Sequence, residues 1–386
     1  MKILHLSQSD INTDSRILKE MLSLKSYYKD SQIFGIGVEM NEKALSEKVN
    51  KLHISSIKLN SYKLRHTPKI LVYILAVFEI SSKMFFMGLK FKPDIIHCHD
   101  TPALPLAITL KLFTKAKIIY DAHELESNRN GLSKTLGKMT LFVERILWRF
   151  LDALIVVSFS IDKWYENNIG EKRSEIILNS PVLEKNTFLK DRSYLRKKFS
   201  IPKDSKIFIY VGLFGEGRCI DLIVDVFKNS NINSSLVLLG YGEMSNKLKK
   251  LAEECSNIYV HDAVSHDGVV TIAQSADVGL CLIQNISLSD YYCLPNKLFE
   301  YSFAKIPILA SDFPDISFVL KKYNLGKCSQ LDSKSIFNAI KELEDAKELP
   351  KINVNNLYDL SWRAQEYKLI KLYEELIKQI KNSKDN

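Results

Sequence analysis

Two kinds of hydrophobic pattern alternate along the chain. Short runs rich in isoleucine, valine and leucine, such as residues 2–6, 32–38 and 117–123, predict buried β-strands. Between them, apolar residues at helical spacing, as in 15–25 and 139–151, predict amphipathic helices. Continuous apolar strands that are separated by helices are typical of parallel sheets covered by helices on both faces. We therefore predict an α/β fold.

The same alternation occurs twice, which indicates two α/β domains in tandem. A polar and basic stretch with Pro181 and Pro202 separates the two series of strands. The end of the chain has the pattern of one amphipathic helix with a charged end. We divide the chain into a first domain at 1–182, a linker at 183–205, a second domain at 206–360 and a C-terminal helix at 361–386.

Charge adds little to this picture. Lysine and arginine outnumber aspartate and glutamate by 54 to 45, a net charge of +9. A basic surplus favours anionic partners such as phosphates, nucleic acid or an acidic membrane face, although a solvated lysine-rich surface explains it equally well. Because the basic residues are dispersed, we expect no nucleic-acid partner. The six cysteines form no Cys-x-x-Cys pair, which indicates reduced thiols in a cytosolic protein.

The most apolar segment is residues 70–92, which Glu79 and Lys83 interrupt. No uninterrupted apolar run reaches the roughly 18 residues that cross a bilayer, and the first residues lack the pattern of a signal peptide. We therefore expect a cytoplasmic protein. Residues 58–92 are predicted to hold a buried helix of the first domain, and a basic, apolar face that docks on anionic lipid is the alternative.

A candidate binding site lies in YYCLPNKLFEYSFAKIPILAS, residues 291–311. Pro295 suits a first helical turn, and Asn296, Lys297 and Glu300 then share one face of the helix. Free N–H groups and the dipole at a helix start attract anions, and Lys297 adds a full positive charge. Glu300, one turn deeper, suits hydrogen bonds from a vicinal diol such as ribose. A solvent-exposed polar face with an ion pair is the alternative.

Glycine-rich turns follow the predicted strands of the second domain. In YVGLFGEGR, residues 210–218, three glycines form a loop before Arg218, whose guanidinium suits phosphate oxygens. LLGYGE (238–243) and VHDAVSHDG (260–268) follow the next two strands. Ligands of open α/β sheets bind beyond the carboxyl ends of the strands, so these turns would share one edge with Lys297. Together they predict a diphosphate site that needs no metal.

Polar side chains also follow strands of the first domain. YDAHE places Asp121, His123 and Glu124 at a strand end, and HCHD places His97 and His99 on one strand face. A metal site would need more ligands in a fixed geometry. We therefore expect a cleft-lining or capping role for the two histidines of HCHD, and no bound metal.

In their order and spacing, these pieces resemble the GT-B glycosyltransferases of glycosyltransferase family four over nearly the whole chain. The carriers are YVGLFGEGR, LLGYGE, ADVGLCLI, LPNKLFEYSFAKIPILAS, KPDIIHCHD and IIYDAHELE. The resemblance implies two Rossmann-like, doubly wound parallel-sheet domains that face a cleft, with the C-terminal helix crossing back to the first domain. It implies transfer of a hexose-type sugar from a nucleotide diphosphate sugar, UDP favoured over GDP, to a glycan or lipid-linked acceptor.

The resemblance also implies a retaining, metal-independent reaction that uses no cofactor. The family's common roles suggest surface polysaccharide biosynthesis, such as that of capsule, lipopolysaccharide O-antigen or exopolysaccharide. We therefore expect the protein in the cytoplasm, or peripherally on the inner face of the plasma membrane.

The resemblance assigns residues to roles position by position. His123 would face the donor sugar, and Arg218 and Lys297 would stabilise the leaving diphosphate, which makes these three the catalytic candidates. Glu300 matches the second glutamate of the E-x7-E motif, which binds ribose, whereas the first glutamate falls on Tyr292. That departure leaves open how the sugar hydroxyls are held. The implied donor-binding residues are Gly212, Gly215, Gly217, Val264, Tyr292, Leu294, Asn296, Leu298 and Glu300.

Four residues of the first domain are candidates for contact with the acceptor or the cleft: Asp14, Arg16, His99 and Glu124. Asp14 lies at a predicted helix start, where capping of the helix is the alternative role.

Other enzyme classes fit the chain less well. A nicotinamide dehydrogenase needs a glycine fingerprint after the first strand, and HLSQSDINTDSR contains no glycine. A nucleotide-sugar 2-epimerase shares the GT-B fold and remains an alternative, as does a non-catalytic nucleotide-sugar-binding member of the fold.

Overall fold

The structure is a computed structural model that describes residues 1–39, 52–61, 68–183, 192–229 and 231–385. The chain divides into two compact units. Unit 1 contains Met1–Ile177 and Glu366–Asn386, and unit 2 contains Leu178–Gln365. Each unit is built on one parallel β-sheet with helices on it.

Unit 1 has a seven-stranded sheet in its described residues, in the order β3-β2-β1-β4-β5-β6-β7, and each neighbouring pair is parallel. The strands are β1 Lys2–Leu6, β2 Gln32–Val38, β3 His53–Ile57, β4 Ile95–His99, β5 Lys117–Ala122, β6 Ala153–Val156 and β7 Ser174–Ile176. The helices are α1 Ser15–Tyr27, α2 Lys69–Phe91, α3 Asp100–Thr114, α4 Lys134–Leu147, α5 Phe159–Asn168 and, at the end of the chain, α14 Trp362–Asp385. The chain order reverses between β1 and β4, and ligands of such sheets bind at this switch point.

Unit 2 has a six-stranded parallel sheet in its described residues, in the order β10-β9-β8-β11-β12-β13. The strands are β8 Ile207–Leu213, β9 Ser235–Tyr241, β10 Ile258–Asp262, β11 Val278–Cys281, β12 Ile308–Ser311 and β13 Gly326–Ser329. The helices are α6 Tyr194–Phe199, α7 Ile220–Phe227, α8 Ser245–Glu254, α9 His266–Ala273, α10 Leu288–Tyr291, α11 Asn296–Ala304, α12 Pro314–Tyr323 and α13 Ser333–Asp345. Its switch point lies between β8 and β11.

The prediction of parallel α/β sheets is confirmed in both units. The strands expected from apolar runs are present, because alternate residues such as Phe208 and Tyr210 pack with Leu236 and Leu238 in a core of fully buried side chains. Two edge strands, β3 and β13, were not expected. Their sequences, HISSI and GKCS, carry few apolar residues because an edge strand is only partly covered.

The last helix, α14, packs on unit 1. Tyr373 is fully buried, and its hydroxyl lies 2.8 Å from Nδ1 of His97 on β4. Tyr27 of α1 donates a hydrogen bond of 2.8 Å to Glu374, and Arg173 pairs with Glu375 at 2.7 Å. The end of the chain therefore forms part of the first sheet's cover.

The structure corrects the expectation for α2. We expected a buried helix and no segment able to cross a membrane, but α2 is long and apolar enough to do so by length and composition. Only 11% of its most apolar window is buried. Its buried residues, Ala76, Ile80, Met84 and Gly88, form one narrow stripe at every fourth position. The exposed apolar side chains of α2 are Ile70, Leu71, Tyr73, Ile74, Leu75, Val77, Phe78 and Phe86. Residues 62–67 lie outside the described part of the chain.

The predicted linker is partly folded. Residues 184–191 of it lie outside the described part of the chain, but residues 194–199 form α6. Arg196 pairs with Asp277 at 3.0 Å, and the Tyr194 hydroxyl lies 2.9 Å from Nε2 of His261 on β10. These contacts place α6 within unit 2.

Candidate functional sites

The glycine loop of unit 2 lies directly on the sheet. Gly212, near the end of β8, has a left-handed φ of +133°. A Cβ added to Gly240 on β9 would lie only 1.8 Å from the carbonyl oxygen of Gly212. Only glycine at position 240 therefore allows this approach. The N–H of Phe214 donates to Tyr241 at 2.6 Å, and the N–H of Gln284 donates to Gly217 at 2.9 Å. These bonds hold the loop at the carboxyl ends of β9 and β11.

Lys297 is a buried cation at the start of α11. It lies in the first turn of α11 and is 8% exposed, and its Nζ has no hydrogen-bond partner among the described residues. The ammonium sits 3.9 Å from the ring centroid of Tyr210, and a Cβ on Gly212 would lie 3.9 Å from it. A buried ammonium is costly without an anion, and a cation–π contact offsets only part of that cost. The arrangement therefore suits an anionic ligand beside the glycine loop.

Arg218 follows the glycine loop, just before α7. Its Nη1 lies 3.9 Å from Oδ1 of Asp290, a separation longer than a hydrogen bond. Asp290 is held by Ser287, whose hydroxyl donates to it at 2.7 Å and accepts from its N–H at 3.0 Å. The Arg218 guanidinium is about one-third exposed, so it can reach a second acceptor.

Lys297 influences two cysteines, Cys281 and Cys293, and each of them is also influenced by one other candidate residue. Burial raises the pKa of the Cys293 thiol, and Arg218 and Lys297 both oppose that rise. Burial also raises the pKa of the Cys281 thiol; Lys297 opposes this rise and Glu300 adds to it, and the resulting pKa is about 12. Lys297 therefore lies near both thiols, whereas Arg218 lies near Cys293 and the buried Glu300 lies near Cys281.

The other predicted donor-binding residues differ in exposure. Gly215, Val264, Tyr292 and Asn296 are half-buried. Gly217, Leu294 and Leu298 are buried. Leu298 has a fully buried side chain, and its N–H donates to the Pro295 carbonyl at 3.0 Å, so the structure gives it a packing role in α11.

A buried polar cluster lies on one face of the unit 1 sheet. Pairing of β1 with β4 places His5 beside His97, and pairing of β4 with β5 places His99 beside Asp121. Arg16 of α1 grips this carboxylate with two hydrogen bonds, of 3.1 Å from Nε and 2.9 Å from Nη2. Nη1 of Arg16 donates to the carbonyl of residue 177 at 2.9 Å.

These contacts correct the prediction for Arg16. We expected a contact with the acceptor or the cleft, but all three guanidinium nitrogens donate within unit 1 and the residue is buried. Asp14 caps α1 by accepting from the N–H groups of Arg16 at 2.9 Å and Ile17 at 3.1 Å. The structure thus shows the capping alternative for Asp14. Glu124 is exposed.

Imidazoles form a chain through this cluster. Nδ1 of His5 lies 3.0 Å from Nε2 of His99, and Nδ1 of His99 lies 3.1 Å from Nε2 of His123. The rings of His97 and His99 stack at a centroid distance of 4.5 Å. Burial lowers the pKa of His5 and of His99, and it lowers that of His97 to about 3. These three side chains are therefore neutral at pH 7.

His123, the last imidazole of this row, has a raised pKa instead. Burial opposes its positive charge, but the carboxylates of Asp100 and Asp121 outweigh burial and raise its pKa to about 10. The side chain is 17% exposed, with Nε2 3.4 Å from Asp121 and Nδ1 3.7 Å from Asp100. Asp100 also accepts from the His123 N–H at 3.2 Å. His123 is therefore an imidazolium at neutral pH and reaches the surface of unit 1.

Sequence reasoning left Asp100 and Asp121 out of the candidate residues. Asp100 directly follows a strand in the motif HCHD, and Asp121 lies near a strand end in the motif YDAHE. Their positions at strand ends are the sequence feature that could have identified them as candidates. Asp100 adopts a left-handed φ of +61°, which aspartate tolerates better than most residues. Their closeness to His123 depends on the pairing of β4 with β5.

Among the described residues of unit 1, two groups of side chains carry atoms of the types that bind metals, and in each group these atoms lie within 4.8 Å of one another. Both ring nitrogens of His99 already contact other imidazoles, and Arg16 and His123 bring positive charge to Asp121. A cation would have to displace these contacts, and the expectation of no bound metal stays a prediction. The groups are His5, Glu20, His97 and His99, and His99, Asp121 and His123.

Comparisons with known proteins agree with these observations. The family "Glycosyltransferase Family 4" matches residues 58–180, and "Glycosyl transferases group 1" matches residues 191–358. The chain is 23% identical to the chitobiosyldiphosphodolichol beta-mannosyltransferase of Candida albicans over 71% of its length and 65% of that protein. It is 24% identical to the N-acetyl-alpha-D-glucosaminyl L-malate synthase of Bacillus anthracis over 61% of each. The chain thus matches less than two thirds of the length of these two relatives.

Solved structures share the fold over nearly the whole chain. Sucrose-phosphate synthase from Thermosynechococcus elongatus superposes with a TM-score of 0.78 at 16% identity, covering 98% of this chain and 99% of that one. HepE from Anabaena, in complex with UDP-glucose, superposes with a TM-score of 0.71 at 13% identity, covering 99% and 100%. The predicted fold of two Rossmann-like domains is confirmed.

Proposed function

This chain belongs to glycosyltransferase family four and has the GT-B fold, and on that premise we propose that it transfers a hexose-type sugar from a nucleotide diphosphate sugar. The observation that carries the proposal is the buried ammonium of Lys297, which has no hydrogen-bond partner among the described residues. It lies in the first turn of α11, beside the glycine loop and near Arg218. A diphosphate supplies the anion that this arrangement suits.

The charges also fit the chemistry of transfer. When an acceptor hydroxyl attacks the anomeric carbon, the bond to the nucleoside diphosphate breaks and negative charge develops on the leaving phosphate. Arg218, Lys297 and the start of α11 would stabilise this charge electrostatically. Glu300 would accept hydrogen bonds from the ribose. The assignment of His123 to the donor sugar stays a prediction, and its imidazolium would donate a hydrogen bond to a sugar oxygen.

We propose a UDP-sugar as the donor, with retention of anomeric configuration and no metal. The HepE structure contains UDP-glucose, which supports a uridine nucleotide for a chain of the same fold. Val264, half-buried after β10, would border the base. We further propose a glycan or lipid-linked acceptor and a role in surface polysaccharide assembly on the cytoplasmic side of the membrane. The name of the Candida relative supports a lipid-linked acceptor.

The first test is thermal stability of the purified chain with UDP, GDP, ADP and CMP sugars in the presence of EDTA. We expect a selective rise with one nucleotide. A ligand at 100 times its Kd adds about 2.7 kcal/mol of stability. Glu300→Ala and Lys297→Ala should each reduce the rise by about half or more, because a tenfold weaker Kd leaves about 1.4 kcal/mol of stabilisation. Lys321→Ala, at an exposed lysine of the same unit, should keep the full rise.

The outcomes separate the rival functions. No rise with any nucleotide would contradict a donor site. A rise without sugar transfer to any acceptor would indicate a non-catalytic member of the fold. Conversion of the nucleotide sugar to its 2-epimer in the absence of an acceptor would identify an epimerase.

A further inference from the structure

The surface of unit 1 carries an unusual amount of apolar side chain on α2. Ile70, Tyr73, Ile74 and Phe78 are all exposed, and Phe78 is 73% exposed. They lie around the N-terminal half of a 23-residue helix that is apolar enough, by length and composition, to cross a membrane. A soluble protein normally buries such a helix, so this surface calls for a partner.

A second helix presents the same chemistry. On α4, exposed apolar residues recur at helical spacing, at Leu136, Met139, Phe142 and Ile146, and Phe142 is 64% exposed. Here the apolar stripe faces away from the core, because the buried positions of α4 are Gly137 and Glu144. The apolar stripe of α4 therefore lies on its solvent-exposed face.

The two helices belong to one surface. α2 packs on α3, and α3 packs on α4. Near the end of α3, exposed Leu112 and Phe113 continue the apolar surface, and the rings of Phe113 and Phe85 of α2 are 5.5 Å apart. We call the exposed surface of α2, α3 and α4 the three-helix face.

The exposed charged side chains of the three-helix face are positive. On α4 and directly after it, Lys134, Lys138, Arg145 and Arg149 are exposed, and on α2 so are Lys69 and Lys90. The carboxylates of these three helices are Asp100, Glu79 and Glu144, and none of them is fully exposed. Glu79 pairs with Lys83 at 2.6 Å and accepts from the N–H groups of residues 60 and 61.

From this combination, we propose that the three-helix face docks unit 1 on the surface of an anionic lipid bilayer. Apolar side chains enter the boundary between headgroups and acyl chains, while the surrounding lysines and arginines attract anionic headgroups. A second copy of the chain fits less well. A twofold interface pairs the same patch from each copy and would bring these cations together without carboxylates to balance them.

The helix lies on the bilayer rather than crossing it. At about 1.5 Å per residue, α2 is about 34 Å long, which matches the roughly 30 Å of a hydrocarbon core. However, Ala76, Ile80, Met84 and Gly88 are buried in unit 1, and a Cβ at Gly88 would lie 2.7 Å from Leu110 of α3. Crossing the bilayer would tear this packed stripe from the domain.

Docking has a consequence for the acceptor, and this part rests on the proposed function. A chain held on the membrane by unit 1 would meet an acceptor that carries a lipid anchor in the plane of the same membrane. The donor, a soluble nucleotide sugar, would reach it from the aqueous side.

The test is co-sedimentation of the full chain with vesicles of phosphatidylcholine alone and of phosphatidylcholine mixed with phosphatidylglycerol. We expect binding to the mixed vesicles, weakened by salt, and little binding to phosphatidylcholine. Phe78→Glu with Phe142→Glu, and separately Lys134→Glu with Lys138→Glu, should each lower the affinity by about tenfold or more. Phe318→Glu, at an exposed phenylalanine of unit 2, is the matched control and should bind as the parent does.

Three results would overturn the inference: no binding to either vesicle, equal binding to both, or an equal loss in the Phe318→Glu control. Light scattering without lipid adds a fourth, a dimer that Phe78→Glu with Phe142→Glu separates, which would show that the face binds a second copy. The nucleotide-induced thermal shift, measured in the same variants, keeps this test apart from the donor proposal. Nucleotide binding without vesicle binding contradicts only the docking surface, and vesicle binding without nucleotide binding contradicts only the donor site.

Discussion

At the scale of single residues, two cations, Lys297 and His123, differ in how their surroundings treat the positive charge. Lys297 is buried against the ring of Tyr210 with no hydrogen-bond partner among the described residues. His123 is held in its charged form by two carboxylates, Asp100 and Asp121. Burial of the Lys297 ammonium without an anion costs folding free energy, whereas the two carboxylates stabilise the charged form of His123. Substitution should therefore affect stability in opposite directions at the two positions.

Lys297→Met should leave the fold at least as stable as the parent while weakening nucleotide binding. Methionine keeps the length of the side chain and removes the buried charge, so we expect the free energy of unfolding to rise by about 1 to 2 kcal/mol. Loss of a charge-assisted phosphate contact should cost about 1.5–3 kcal/mol of binding, tenfold or more in Kd. Urea unfolding and nucleotide titration measure both, with Lys321→Met as control. A destabilised Lys297→Met variant would show that the ammonium already has a stabilising partner.

The charge of His123 predicts a pH dependence of stability. Its folded pKa of about 10 exceeds the value of roughly 6.5 expected in the unfolded chain. Between these values the folded state holds a proton that the unfolded state lacks, so the stabilisation is complete below about pH 6.5 and declines as pH rises towards 10. The slope is at most about 1.4 kcal/mol per pH unit. Urea unfolding from pH 6 to about pH 9.5 should show a steeper decline in the parent than in His123→Gln. Equal slopes would contradict the assigned charge.

At the scale of elements, the donor-type site depends on backbone packing. The loop after β8 lies on β9 because Gly240 has no Cβ to meet the carbonyl of Gly212. The start of α11 then brings Lys297 beside the same loop. A rigid strand, a tight loop and a helix start thus set the geometry, and the side chains complete it.

Gly240→Ala should displace the glycine loop. The added Cβ would lie 1.8 Å from a backbone oxygen, so the loop must move, and we expect a loss of about 2 kcal/mol or more in stability together with weakened nucleotide binding. Gly215→Ala is the matched control for stability, because a Cβ there meets its nearest atoms at 3.7 Å. Thermal unfolding with and without nucleotide measures both effects. If the two variants melt together, the close approach of loop and strand does not matter.

At the scale of the whole molecule, the charges are distributed by unit. Unit 2 concentrates Arg218 and Lys297 at one sheet edge. Unit 1 holds a buried polar cluster that balances its charge internally and an outer face that is apolar and basic. The two local groups of cations therefore have different proposed ligands, a diphosphate and an anionic membrane.

Removal of divalent metal should change neither stability nor nucleotide binding. Arg218 and Lys297 supply the positive charge that a metal would otherwise give a diphosphate, and the histidines of unit 1 contact one another. Dialysis of the protein against EDTA should leave the melting temperature and the nucleotide-induced shift unchanged. A shift that returns only when Mg²⁺ or Mn²⁺ is added would contradict a metal-independent site. A fall in the melting temperature without nucleotide would instead point to a metal in unit 1.

Much of this protein could be predicted from its sequence, because the relevant signals are local. Buried parallel strands need continuous apolar runs, and the runs at residues 2–6 and 206–213 mark β1 and β8 within a residue. Glycines and cations at strand ends lie at the ligand-binding edge in any open α/β sheet, which allowed Arg218, Lys297 and Glu300 to be grouped before their surroundings were known.

Only the tertiary structure decided which candidate side chains stay available for a ligand. Arg16 forms an ion pair with Asp121, which lies 105 positions away along the chain. Lys297 has no hydrogen-bond partner among the described residues. The histidine chain joins β1 to β4 across 94 positions. Many apolar side chains of α2 stay exposed because only one narrow stripe of the helix is buried. The physical reason is that local sequence sets periodicity and backbone conformation, while charge state and exposure depend on whatever distant residues the fold brings alongside.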